Sequence, residues 1–270
     1  MTTFFDLDLS KKVQQAISDM GFEEPSPIQV QCIPKVLTGG DLIGQAQTGT
    51  GKTAAFGIPL IEMATPHKSV QSLILTPTRE LAIQVAGELR KIAKYKRTRT
   101  LPIYGGQSIG SQIRALQQGV QVVIGTPGRV LDHLRRGTLK LDKVRTVVLD
   151  EADEMLDMGF IEDIEAIINM TPDDRQTLLF SATMPPEVKR LSNRYMKSPE
   201  SVTINRGDVT VPQIEQVYYR VLERTKLESL CRIVDSEQVE LGIIFCRTKR
   251  GVDELTDALM ARGYLADGLH

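Results

Sequence analysis

The segment Ala46-Gln47-Thr48-Gly49-Thr50-Gly51-Lys52-Thr53 has the residue types that hold a triphosphate. A glycine-rich turn between a strand and a helix points several backbone N–H groups at one spot, at the positive end of a helix dipole. At this spacing Lys52 reaches β- and γ-phosphates, and the Thr53 hydroxyl sits on a Mg2+ ion. Ala46 stands where the common G-x-x-x-x-G-K-[ST] pattern has its first glycine. A plain glycine-rich turn before a helix is the alternative; Gly-Lys-Thr in a strand–loop–helix context argues against it.

Asp150-Glu151-Ala152-Asp153 follows the apolar run Val147-Val148-Leu149. At the end of a parallel strand near a phosphate loop, Asp150 can hold Mg2+ largely through water, and Glu151 can orient and deprotonate an attacking water. Alone, the same residues also favour the dipole of the next helix. Gln29, within Gly21-Phe22-Glu23-Glu24-Pro25-Ser26-Pro27-Ile28-Gln29, offers one donor and one acceptor, matching N6 and N7 of adenine. Phe5 or Phe22 can stack on that ring, although spacing alone favours a surface glutamine at a helix start.

Three further segments, Pro77-Thr78-Arg79-Glu80-Leu81, Gly105-Gly106 and Thr126-Pro127-Gly128-Arg129, each fall at a strand-to-helix turn. Helix N-termini there can bind backbone phosphates, with Arg79 and Arg129 adding charge-assisted bonds; each is equally ordinary helix-start punctuation. The hydroxyls of Ser181-Ala182-Thr183 either cap the helix that follows or bond to Asp153. Residues 90–99 hold six basic side chains in ten, which a solvated helix C-terminus explains.

These residues need a scaffold that brings them together. Apolar spacing at Leu9, Val13, Ala16, Ile17 and Met20 marks a helix, with Ser10 near its start and Gly21 at its end. Pro25-Ser26-Pro27 launches a second, Ile28 to Leu37. Apolar runs then alternate with amphipathic helices: Asp41–Ala46, Ser72–Pro77, Thr100–Tyr104, Val120–Thr126, Val144–Asp150, Thr177–Ser181 and Val202–Ile204. Such alternation predicts an α/β fold, a parallel sheet covered by helices on both faces. Ligands bind off the carboxyl ends of its strands, where most of the unusual residues fall.

Periodicity lapses over 206–212, which reads as a linker. Strand, helix, strand and helix are expected beyond it, at Val217–Val221, Leu227–Val234, Leu241–Cys246 and Val252–Met260. Leu73–Arg79 also lines up with Ile243–Lys249, a helix following each, either as two copies of one unit or by chance. The divisions are therefore 1–39, 40–205, 206–212 and 213–270.

The 270 residues suit one large or two medium domains, and 41% hydrophobic with 25% charged content is ordinary for a soluble globular protein. No apolar run approaches a membrane span, and the first residues lack the basic start of a signal peptide. Three scattered cysteines and three scattered histidines suggest neither a disulfide frame nor a zinc site, so a reduced, cytoplasmic setting is expected. A net charge of −1 gives no overall field for nucleic acid, so any such binding must be local.

Taken in order, Phe5 seventeen residues before Phe22, the Gln29 segment, Ala46–Thr53, Pro77–Leu81, Gly105-Gly106, Thr126–Arg129, Asp150–Asp153 and Ser181–Thr183 closely resemble the DEAD-box RNA helicases, most of all the bacterial cold-shock-associated type. Alanine at position 46 agrees with that family. The resemblance implies a RecA-like P-loop domain using ATP and Mg2+, a stress-response role, and an RNA partner gripped through its backbone, with no membrane.

Carried over residue by residue, Gln29, Phe5 and Phe22 would select adenine. Thr48, Gly49, Thr50, Gly51, Lys52 and Thr53 would hold the phosphates. Thr53 and Asp150 would hold the metal, and Glu151 would be the base. Ser181 and Thr183 would couple hydrolysis to strand separation. Pro77, Thr78, Arg79, Gly105, Gly106, Thr126, Gly128 and Arg129 would grip one RNA strand.

The family's late glycine/aspartate and arginine-rich motifs do not occur before His270, so 213–270 resembles only the start of a second RecA-like domain. An arginine finger contributes on the order of 10³–10⁵ in rate in related enzymes. The expectation is a chain that binds nucleotide and hydrolyses it weakly. The rival reading is a nucleotide-gated RNA clamp or scaffold without useful turnover. A small-molecule P-loop kinase is disfavoured by the Gln29 segment and the several phosphate-binding turns.

Overall fold

The computed structural model describes residues 3–204 and 217–270, and the chain forms two compact units, Met1–Val211 and Pro212–His270. The linker expected over 206–212 lies outside the described residues.

The first unit opens with helices α1 (Lys11–Asp19) and α2 (Pro27–Leu37). Gly21 closes α1 at φ +74°, a left-handed conformation that glycine adopts without strain. Seven strands follow: β1 (Leu42–Gln45), β2 (Ser72–Leu75), β3 (Thr100–Ile103), β4 (Val122–Gly125), β5 (Thr146–Leu149), β6 (Gln176–Ser181) and β7 (Glu200–Thr203). All seven lie within the apolar runs read from the sequence or overlap them. Between them run α3 (Lys52–Met63), α4 (Arg79–Ile92), α5 (Ile109–Gln117), α6 (Pro127–Arg135), α7 (Ala152–Asp157), α8 (Ile161–Ile168) and α9 (Pro186–Tyr195).

The strands form one parallel sheet in the order β3-β4-β2-β5-β6-β1-β7. Successive side chains on a strand face opposite ways, so a sheet covered on both sides needs apolar residues at every position. Ile74, Val122, Ile124, Val148, Leu178 and Phe180 join the core under α1–α4. Their neighbours Leu73, Leu75, Val123, Val147, Leu149 and Leu179 join the opposite core under α6–α9. Gly44 lets β1 and β6 close on this arrangement: a Cβ there would stand 2.5 Å from the Phe180 ring. The expected α/β sheet with helices on both faces is therefore present.

The second unit contains α10 (Lys226–Ser236) and α11 (Lys249–Met260), near the expected helical positions. The two expected strands are a correction. Val217–Val221 and Leu241–Cys246 are not in strands, and Leu241 and Phe245 are each 92% exposed. A strand is stabilised by the ladder to its neighbours, and among the described residues neither segment has one. The echo between 73–79 and 243–249 survives only in its second half. Thr78 and Thr248 each cap a helix, accepting from Leu81 N–H at 3.2 Å and Gly251 N–H at 3.0 Å.

Candidate functional site

The carboxyl edge of the sheet divides into two neighbouring groups of loops. β6 lies between β1 and β5, so the loops leaving β1 and β5 are two strand spacings apart, about 9.5 Å. Between them opens a cavity of about 180 Å³, lined by Thr48, Lys52, Pro77, Thr78, Glu151, Asp153 and Ala182 among others. Lys52 and the acidic cluster thus face one space.

The loop leaving β1 turns through left-handed glycines, Gly49 at φ +85° and Gly51 at φ +90°. A side chain at Gly51 would also collide with Gln29, whose Nε2 lies 2.3 Å from the Cβ position. Gly51 is followed by Lys52 at the first position of α3, and Lys52 Nζ donates to Ala46 O at 2.9 Å, closing the loop on itself. Thr53 is half-buried beside it, and Thr50 donates its hydroxyl to Gln47 O at 2.8 Å.

Gln29 is buried at the start of α2, not on the surface as spacing alone favoured. Its Oε1 accepts from Ser26 N–H at 3.0 Å and its Nε2 donates to Gly51 O at 3.2 Å. Ser26 donates to Thr50 O at 2.8 Å, so the helix start and the phosphate loop are tied together twice. Of the aromatic candidates, Phe5 is 70% exposed while Phe22 stacks on buried Phe4, ring centroids 6.1 Å apart.

Asp150 ends β5, its N–H donating to Leu75 O at 3.0 Å, and is only 3% exposed. Burial pushes its carboxyl up to about 7, against the lowering effect of the Lys52 charge. A buried carboxylate so poorly compensated suits a site that receives a cation. The donor set, a carboxylate and the Thr53 hydroxyl with no histidine or thiol, suits Mg2+. Among the described residues no three acidic, histidine or cysteine side chains gather as a metal cage.

Glu151 takes the left-handed conformation, φ +52° and ψ +54°, at the N-cap of α7. That conformation is uncommon for a side chain of this kind and marks a position where geometry outweighs local preference. Burial raises its carboxyl too, with Lys52 opposing. Asp153 goes the other way. Burial alone would raise it, but hydrogen bonds involving Ser181 and Thr183 hold it below the usual value. Thr183 N–H and Oγ1 both reach Asp153 Oδ2, and Ser181 Oγ accepts from Asp153 N–H at 3.2 Å. The open choice for these hydroxyls resolves toward Asp153.

The second group of loops leaves β2, β4 and β3. Arg79 lies over the Tyr104 ring at 5.5 Å and against Gly106, where a Cβ would stand 3.5 Å from its Nη1. Thr126 stands at the N-cap position of α6 without a side-chain capping bond, Pro127 is the first residue of the helix, and Gly128 lies near Asp163. Arg129 Nη1 donates to Gln107 O and to Gln112 Oε1, each at 3.1 Å. Gly105, Gly106, Thr126, Gly128, Arg79 and Arg129 therefore share one rim, while Pro77 and Thr78 face the cavity. Nothing in the sequence marks Gln107 or Gln112, since a lone glutamine does not signal its partners. Half of the basic side chains in 90–99 are tied down, Lys94 to Asp19, Lys96 to Glu62 O and Arg99 to Gln118 O.

No helix among the described residues is long and apolar enough to cross a membrane. Cys32, Cys231 and Cys246 are free thiols.

Comparison with known proteins agrees with this geometry. Residues 26–191 match the family model described as DEAD/DEAH box helicase. The chain is 57% identical to the DEAD-box ATP-dependent RNA helicase CshA of Bacillus cereus, covering 100% of this chain and 52% of that protein. It is 58% identical to the CshA of Geobacillus kaustophilus, with 100% and 58% covered. The chain thus spans about half the length of the curated relatives it matches. Among solved structures it resembles a DEAD box protein from the hyperthermophile Methanococcus jannaschii, with a TM-score of 0.74 and 44% identity over 100% of this chain and 73% of that one.

Proposed function

The chain belongs to the DEAD/DEAH box helicase family, and from that premise we infer that it is the ATP-binding portion of an ATP-dependent RNA helicase. The observation that carries this reading is the cavity that Lys52 and Glu151 line together, with buried Asp150 immediately before Glu151 in the chain. Thr48, Gly49, Thr50, Gly51, Lys52 and Thr53 would hold the phosphates, and Thr53 with Asp150 would hold Mg2+, which supplies charge neutralisation on the triphosphate. Glu151 would orient and deprotonate the attacking water. Gln29 and an aromatic side chain, Phe5 or Phe22, would read adenine.

The rim of Arg79, Gly105, Gly106, Thr126, Gly128 and Arg129 would grip the sugar–phosphate backbone of one RNA strand, largely without regard to sequence. Ser181 and Thr183, fastened to Asp153, would link the nucleotide to that rim and so to local opening of a duplex. Residues 213–270 would be the first part of a second RecA-like domain. Alone, this chain would bind nucleotide and turn it over weakly; a cytoplasmic setting goes with the family.

RNA-stimulated ATP hydrolysis, measured on this chain and on one extended to the length of its relatives, tests the reading. Turnover in the longer form that is lost in Glu151→Gln supports it. If the longer form binds RNA and ATP without turnover, and Glu151→Gln changes nothing, the clamp reading replaces the enzyme. Lys52→Ala should abolish nucleotide binding in titration calorimetry; retained affinity would remove the triphosphate assignment.

A further inference from the structure

We propose that Gln112 is a positioning residue that locks the 104–107 loop and Arg129 into a single rigid jaw for an RNA backbone. The proposal rests on the RNA-binding reading of the rim given above. Gln112 is 2% exposed, on α5, and its hydrogen-bond partners are Tyr104, Gln107, Arg129 and His133. Its Nε2 donates to Tyr104 O at 3.2 Å and to Gln107 Oε1 at 3.0 Å. Its Oε1 accepts from Arg129 Nη1 at 3.1 Å and faces His133 Nε2 at 2.9 Å.

An amide has two N–H donors and two lone pairs, so this one is saturated. Its orientation follows from its partners: a carbonyl only accepts and a guanidinium only donates, which places Nε2 toward Tyr104 and Oε1 toward Arg129. His133 must then donate its Nε2–H, leaving Nδ1 to Thr138 Oγ1 at 2.8 Å. His133 is fully buried and neutral in this tautomer, with burial and the nearby Arg129 lowering its pKa.

The network does more than fill a gap. β3 is the edge strand of the sheet, so the loop that leaves it is braced on one side only. Gly105 and Gly106 add backbone freedom, Gly106 lying at φ +77°. Gln112 holds both ends of this loop, Tyr104 and Gln107, while Arg129 from the neighbouring β4 turn grips Gln107 O. With Nη1 committed to two oxygens, the guanidinium plane of Arg129 is fixed. A flexible arginine and a flexible glycine loop thereby become a preformed surface, and less ordering is required when a strand of RNA docks.

The test uses the full 270-residue chain with a fluorescein-labelled 12-nucleotide oligouridine, Mg2+ and a non-hydrolysable ATP analogue. RNA affinity is read by anisotropy, nucleotide affinity by calorimetry, and loop order by hydrogen exchange at 104–108. Gln112→Leu keeps the volume and removes all four contacts; it should weaken RNA binding about tenfold, leave nucleotide affinity unchanged and speed exchange at 104–108. Gln112→Glu keeps both acceptor contacts and loses the two donors. It should weaken RNA binding by a smaller factor, about threefold, and it decides the matter alone if Gln112→Leu does not fold. Unchanged RNA affinity in the folded variants overturns the proposal and leaves the RNA reading standing. A parallel loss of nucleotide and RNA affinity also overturns it, as the mark of a general loss of structure. Failure of the unaltered chain to bind the oligouridine overturns the RNA reading itself, and this role with it.

Discussion

Thr183 donates both its backbone N–H and its hydroxyl to Asp153 Oδ2, each at 2.8 Å. The pair joins the turn after β6 to the helix that begins behind Glu151. With the Ser181 hydroxyl accepting from Asp153 N–H, the end of β6 and the turn after it are both tied to the acidic cluster. The carboxylate is held ionised by these bonds, in contrast to Asp150 three residues earlier.

Thr183→Val removes the hydroxyl and keeps the shape. Hydrogen bonds to charged groups contribute roughly 1.5–3 kcal/mol, so a loss of that order is expected in urea unfolding at pH 7. The folded-state pKa of Asp153 is depressed, so this stability is present above the ordinary carboxylate range and is lost as pH falls through the folded value. The variant and the parent should therefore converge as the pH falls below the ordinary carboxylate range. Equal stability at pH 7 would contradict the role given to the bond.

Asp150→Asn should raise the melting temperature while weakening Mg-nucleotide binding. Burial lifts the Asp150 carboxyl to about 7, so folding is disfavoured by its ionisation as pH climbs from the unfolded range through 7. Asparagine, neutral at all pH, gains most at pH 8 and little at pH 4. At roughly 2–4 °C per kcal/mol for a domain of this size, calorimetry in metal-free buffer resolves the difference. A lower melting temperature at pH 8 would show that pairing with Lys52 outweighs desolvation.

Gln29→Ala should erode the preference for ATP over GTP and loosen the phosphate loop, because one amide serves Ser26 N–H and Gly51 O. Calorimetric titration with both nucleotides checks the first effect, and hydrogen exchange over 47–52 the second. Equal ATP and GTP affinities in the parent would remove the adenine assignment.

Residues 217–270 should exchange amide hydrogens faster than 42–204. Their apolar segments are exposed, Ile243 at 81% and Phe245 at 92%, and among the described residues are held by no ladder. Exchange equally slow in the two units would refute this.

The sheet was legible because a strand buried on both faces must be apolar at every position, as Val147-Val148-Leu149 is. The phosphate loop was legible because its glycines and Lys52 are adjacent in sequence. Gln112 was not: its partners Arg129 and His133 are 17 and 21 residues away, and only the fold brings them together. Gln29 was read as an adenine donor and acceptor, but its ties to Ser26 and Gly51 require knowing that α2 lies on the phosphate loop. Phe4 and Phe5 are identical in type, and only packing separates the buried ring from the exposed one. The segments 217–221 and 241–246 have strand composition without strand structure, because pairing belongs to two segments and composition to one.

The turn after β2 has an implication for how such a protein can change over time. Pro77 and Thr78 line the cavity proposed to take the nucleotide, and Arg79, the very next residue, rests on Tyr104 among the groups proposed to touch RNA. On the proposed reading, nucleotide and RNA would thus meet one short stretch of main chain, in addition to the link through Ser181 and Thr183. Drift at these three positions would alter both grips together, so variation in substrate preference is better accommodated at the far ends of the rim.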